Sequence, residues 1–119
     1  MNTQQIAHRL AAHCRKGEWE AAQKELFAND AVSIEQEDMP GFSKETKGLK
    51  AIIDKGHKWA EMVESVHLIE VGEPVVAGDA IAMRLRLDST MKGRGRMDMA
   101  ELCVYETKDG KIVSERFFS

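Results

Sequence analysis

Glutamates placed in strand-like runs are the residues of this chain with the most chemistry to offer. From Met97 to Phe118, MDMAELCVYETKDGKIVSERFF, two alternating apolar runs are joined by Lys108-Asp109-Gly110-Lys111. Asp-Gly between such runs is a hairpin signal. On the first run Met97, Met99, Glu101, Cys103 and Tyr105 share one face, and Ala100, Leu102 and Val104 share the other. Both faces are largely apolar, so a sheet covered on both sides is expected, with Glu101 embedded in one of them. An unpaired buried carboxylate either carries a large desolvation cost or has its pKa raised until it is neutral. A neutral carboxyl is what a general acid or hydrogen-bond donor requires. The alternative is a structural ion pair with Arg84, Arg86 or Arg116.

Hairpin register decides what Glu115 can do. A three-residue turn with Gly110 as the bulge pairs Glu115 with Cys103 and puts it on the face of Glu101 and Phe117; a two-residue turn sends it to the opposite face. The bulged turn is favoured because it also sends Arg116 outward. Acids converging in one pocket repel, and their pKa values split so that one stays protonated while another works as base. On the other face Glu115 would form an outer salt bridge.

The elements that must position these acids follow from periodicity. Residues 3 to 16 carry Ile6, Ala7, Leu10, Ala11 and Cys14 at helical spacing, closed by Lys16-Gly17. Glu18 to Ala28 repeats the pattern with Trp19, Ala22, Leu26 and Phe27, and Asn29-Asp30 is the expected stop. Ala31 to Glu35 reads as a short strand with Val32 and Ile34 on one side and Ser33 and Glu35 on the other. The polar segment Gln36 to Thr46, marked by Pro40-Gly41, is a loop that could cover a pocket mouth. A third helix starts near Gly48, capped by Ser43 or Thr46, with Leu49, Ile52, Ile53, Gly56, Trp59, Ala60 and Val63 on its apolar side. Strands follow at Val66 to Glu73, Val75 to Ala77 and Ala80 to Leu87, the last alternating strictly. Thr90 to Arg96 is the tip that leads into the final hairpin. Three helices followed by antiparallel strands give an α+β architecture with the helices on one face of a curved sheet.

The chain has 119 residues, enough for one domain, and its 17 basic and 20 acidic side chains leave no basic footprint for nucleic acid or an anionic membrane. No apolar run approaches a membrane span, and MNTQQIAHRL lacks the apolar core of a signal peptide; a cytoplasmic protein is expected. Cys14 and Cys103 sit outside any motif and fit a reducing compartment.

Order, length and local sequence together resemble the NTF2-like superfamily, particularly its SnoaL-like and ketosteroid-isomerase-like members. The resemblance rests on Gly17-Glu18-Trp19-Glu20, Phe27-Ala28-Asn29-Asp30-Ala31, Gly48-Leu49-Lys50-Ala51-Ile52, and Tyr105 through Asp109-Gly110-Lys111-Ile112-Val113 to Phe117-Phe118. It implies a cone: three N-terminal helices packed in a strongly curved antiparallel sheet around a mostly apolar pocket, in a homodimer joined through the outer sheet face. It places the isomerases' carboxylate base at Glu35. The isomerases' first-helix tyrosine falls near Leu10, which cannot donate, and their partner acid falls near Cys103. In the SnoaL-type cyclases a late-strand acid works without metal or cofactor, and Glu101 is the nearest candidate. Superfamily membership alone does not assign a reaction.

Other candidates are weighed the same way. Tyr105 and Trp59 either line the pocket or simply pack. His57 is a polar pocket group or a surface partner of Glu61. His8, His13 and His67 have no metal-ligand spacing, and no metal or cofactor is expected. Lys92, Arg94 and Arg96 read as solvated charges on a glycine-rich tip, and no nucleophile elbow is present. The reading is thus a pocket protein for a small, largely apolar carbonyl or hydroxyl compound. Glu35 and Glu101 are its catalytic acids, and Trp59, Cys103, Tyr105, Glu115 and Phe117 line the pocket. The alternative is a non-catalytic ligand-binding or dimerisation module whose acids are structural.

Overall fold

A computed structural model describes residues 1–119. Helix α1 (Thr3–Arg15) opens with a capping box: the Asn2 side chain accepts from the Gln5 N–H at 2.8 Å, and the Gln5 side chain accepts from the Asn2 N–H at 2.9 Å. Its stripe of Ile6, Ala7, Leu10, Ala11 and Cys14 is buried, as the spacing predicts. Gly17, at φ +70°, lets the chain turn into α2 (Trp19–Leu26).

The second helix is shorter than its pattern. Phe27 already belongs to β1 (Phe27–Ile34), so residues 27 and 28 are strand and not the helix end that their apolar character suggested. Pairing with the last strand settles the conflict, since Phe27 lies opposite Ile112. A short β2 (Glu45–Lys47) pairs antiparallel with β1 inside the segment read as loop. Helix α3 (Leu49–Met62) starts at Gly48 with no side-chain cap, so neither Ser43 nor Thr46 has the capping role expected of it. It ends one residue early, because Val63 begins β3 (Val63–Val71). Strands β4 (Val75–Ala77), β5 (Ala80–Met91), β6 (Gly95–Lys108) and β7 (Lys111–Phe118) complete the chain.

The strands form one sheet in the order β2-β1-β7-β6-β5-β3, with β4 on β5. It is mixed, not wholly antiparallel: β1 and β7, from opposite ends of the strand sequence, pair in parallel. The core lies between the helices and the inner sheet face, where Ile6, Leu10, Leu26, Ile52, Ile81, Met83, Cys103, Tyr105 and Ile112 cluster. Within this one chain only the inner sheet face is covered. Leu102 and Phe118, cross-strand partners on the outer face, are 45 % and 42 % exposed, and the first half of β6 is open on both faces. No helix is long and apolar enough to cross a membrane.

Candidate functional site

Asp109 and Gly110 both have positive φ, 53° and 77°, and Lys108 pairs with Lys111, so the final hairpin closes on a two-residue turn. The three-residue turn expected from Gly110 is not formed. On its own the two-residue turn would set Glu115 opposite Val104 on the outer face. The strand corrects this itself: between Thr107–Ile112 and Glu106–Ser114 one extra residue, Val113, is inserted in β7. Beyond that bulge Glu115 lies opposite Tyr105 and Phe117 opposite Cys103. The expected face is therefore right, although the partner of Glu115 is Tyr105 and not Cys103. Arg116 points outward and is exposed.

The inner surface of β6 and β7 thus brings together Glu101, Cys103, Tyr105, Glu115 and Phe117. Cys103, Tyr105 and Glu115 are buried, while Glu101 and Phe117 are half-buried. Strand β1 extends the row, because Ser33 pairs with Glu115 and shares its face with Glu35 just past the strand end. No arginine reaches Glu101: Arg86 binds Asp98 and Glu70 on the outer face. Glu101 meets only the Cys103 thiol, which donates to its Oε1 at 3.9 Å. Burial, then the charges of Glu35 and Glu115, push the Glu101 carboxyl up to about 7. Burial also pushes Glu115 up to about 7, against the Ser33 hydroxyl and the Lys55 ammonium, which favour its ionised form. The same dry surroundings raise the Cys14 thiol to about 12, with Glu115 adding to the effect, and hold Cys103 and Tyr105 far above their ordinary values. Chemically, the arrangement presents carboxyl groups that exchange protons near neutral pH beside a buried phenol.

Sequence reasoning missed Lys55 and Ser33. The Lys55 Nζ donates to Ser33 Oγ at 2.9 Å and lies 3.8 Å from Glu35 Oε1. Both left a signal: Lys55 sits one turn after Ile52 on the helix stripe, and Ser33 is a small polar residue on the inner alternation of β1. Trp59 is not gathered into this group; it is half-buried on α3, and Trp19 is the tryptophan that packs on the core. Two open hollows of about 390 and 380 Å³ flank α3, the second bordered by Phe42, Thr46, Lys55 and Lys58 under the Pro40-Gly41 loop. Neither is lined by Glu35, Glu101 or Glu115. His57 pairs with Glu20 across the helices and not with Glu61. Arg96, expected to be a solvated tip charge, is bound to the buried Asp88. No three His, Cys, Asp or Glu side chains converge as metal ligands.

A family model described as SnoaL-like domain matches residues 1–119. Among solved structures, a Mesorhizobium loti protein provisionally described as a SnoaL-like polyketide cyclase is 33 % identical, with TM-score 0.92 and full coverage, 100 %, of both chains. A Xanthomonas campestris protein of unknown function with a cystatin-like fold is 22 % identical at TM-score 0.84, covering 100 % of this chain and 91 % of the other. A Catenulispora acidiphila protein with a ketosteroid isomerase-like fold, solved with trimethylamine, is 19 % identical at TM-score 0.76, covering 99 % and 87 %. No curated protein matches the chain.

Proposed function

The chain belongs to the SnoaL-like domain family, and from that premise we propose that it is a small-molecule pocket protein using cofactor-free acid/base chemistry. One observation carries the reading: Glu101 and Glu115 share the inner sheet face without an arginine partner, where burial pushes both carboxyls up to about 7. The substrate class is a small, largely apolar compound with a carbonyl or hydroxyl group; what supports this is that the glutamates sit among the apolar and aromatic side chains of Phe117, Tyr105 and Leu85. Glu101 gives a proton to the carbonyl oxygen as a carboxylate takes one from the neighbouring carbon; the enol then returns its hydroxyl proton to Glu101 as the second carboxyl delivers a proton to carbon. Glu35, half-exposed at the strand end, exchanges protons between this cluster and solvent. Isomerisation, cyclisation and dehydration all use such steps. The protein works as a cytoplasmic homodimer in which a second copy covers Leu102 and Phe118, and Cys14 and Cys103 remain thiols there.

The test is proton exchange from D2O into a panel of apolar enolisable ketones, followed by NMR with wild type and Glu101→Gln. Exchange that Glu101→Gln abolishes in a folded protein is the expected result; wild-type exchange no faster than buffer across the panel rejects the catalytic reading. A second reading, ligand binding without turnover, is favoured by Leu10, which is 2 % exposed and offers no hydroxyl at its place on α1. Native mass spectrometry separates the two, since a retained ligand unchanged by Glu101→Gln supports binding alone, and the same spectrum reports the dimer.

A further inference from the structure

Lys55 reaches from α3 to Ser33 on the inner sheet face, and the two lie beside two of the three glutamates there: Lys55 is 3.8 Å from Glu35, and Ser33 is paired across the strands with Glu115. The Lys55 ammonium occupies an acceptor site of Ser33 Oγ at 2.9 Å. A hydroxyl that accepts from an ammonium keeps its own hydrogen to donate. Ser33 is fully buried, and its neighbour across the β1–β7 pairing is the Glu115 carboxyl, whose ionised form the hydroxyl favours. Glu101 has no hydroxyl beside it: its hydrogen-bond partner is a thiol at 3.9 Å, and the Lys55 charge is the least of the influences on it. The groups facing Glu115 are Ser33 and Glu35 from β1, Lys55 from α3, Cys14 from α1, and Glu101, Cys103 and Tyr105 from β6. Lys55 is the one cation among them.

We infer that Lys55 and Ser33 form a positioning arm that makes Glu115 the first of the two sheet glutamates to ionise, so that the Glu115 charge holds Glu101 protonated as the proton donor. The arm opposes the order that burial alone would set, since Glu115 is buried and Glu101 only half-buried. A negative charge created at Glu115 acts on Glu101 through the dry interior, where like charges disfavour a second ionisation. The inference rests on the reading of Glu101 as the donor, yet its test requires no substrate.

The measurement is site-resolved titration of the glutamate carboxyl carbons by NMR in wild type, Ser33→Ala, Lys55→Met and Lys55→Arg. Assignments come from Glu101→Gln and Glu115→Gln, and circular dichroism checks folding. In wild type, Glu115 should titrate at lower pH than Glu101. Ser33→Ala and Lys55→Met should each raise the Glu115 midpoint, Lys55→Met by about one pH unit, a tenfold change in proton affinity. Lys55→Arg should recover most of the gap. A wild-type Glu101 midpoint below that of Glu115 overturns the inference, as does a Glu115 midpoint unmoved in folded Ser33→Ala. Should Lys55→Met not fold, Ser33→Ala decides alone, because it removes only a hydroxyl. Absence of exchange activity would reject the catalytic reading and leave these titrations unaffected.

Discussion

Asp88 and Glu115 are 4 % and 6 % exposed, and their surroundings push them in opposite directions. Asp88 lies on the outer sheet face, gripped through both oxygens by Arg96 at 3.0 and 2.7 Å. That hydrogen-bonded cation holds its carboxyl below the ordinary value. Glu115 lies on the inner face, where burial is deep and no arginine follows it in. The same division runs along β6: Asp98 is held by Arg86, while Glu101, three residues further and on the other face, meets a thiol. Low exposure is therefore no guide to whether an acid is structural or reactive. The partner buried with it decides.

The comparison breaks most sharply in turnover. Glu101→Gln should lower the exchange rate on a responsive ketone by about 100-fold or more, the scale of a lost general acid, whereas Asp88→Asn should leave it within about twofold. Equal losses in two folded variants would erase the distinction.

Stability against pH should show the two acids with opposite signs. The Glu115 pKa is raised from 4.5 to about 7 on folding, so the native state holds the extra proton between those values. Its stabilisation is complete below pH 4.5 and is lost as pH rises through about 7, a span of about 3 kcal/mol by linkage. Asp88 is lowered from 3.8, so its contribution is present above that value and is lost as pH falls through its folded pKa. Denaturant midpoints from pH 3 to 8 should therefore flatten on the neutral side in Glu115→Gln and on the acid side in Asp88→Asn.

Partner removal gives a smaller signal. Arg96→Met strands Asp88 and should lower Tm by a few degrees, while Arg96→Met combined with Asp88→Leu should recover part of the loss, because removing both charges leaves none unpaired. Thermal melts of the two variants check it; a double variant less stable than the single would mean that the pair itself stabilises the sheet.

The weakest effect is on the thiols. With Cys14 raised to about 12, its thiolate fraction at pH 8 is on the order of one in ten thousand, so native alkylation by iodoacetamide should be negligible until unfolding. Glu115→Gln removes a charge that raises Cys14 and should quicken its labelling slightly. Mass spectrometry of labelled peptides reads both rates.

Much of this molecule was legible in the chain. The stripe from Ile6 to Cys14, the alternation from Ile81 to Leu87 and the inward set of Glu101, Cys103 and Tyr105 follow from side-chain period, which is local backbone geometry. Periodicity also suggested a covered outer face, and the exposed Leu102 and Phe118 show where that inference stops within one chain. Phe27 and Ala28 suit helix and strand alike, so only pairing with β7 could assign them.

What the sequence by itself determined is which residues could share a face and where the chain must turn. Tertiary structure alone decided how those faces meet: the parallel pairing of β1 with β7, the inserted Val113 that brings Glu115 back inside, and the arrival of Lys55 at Ser33, 22 positions earlier in the chain. The reason is that a strand's side chains alternate every residue, so one inserted residue reverses every side chain beyond it. Whether the insertion occurs depends on contacts that no local window contains.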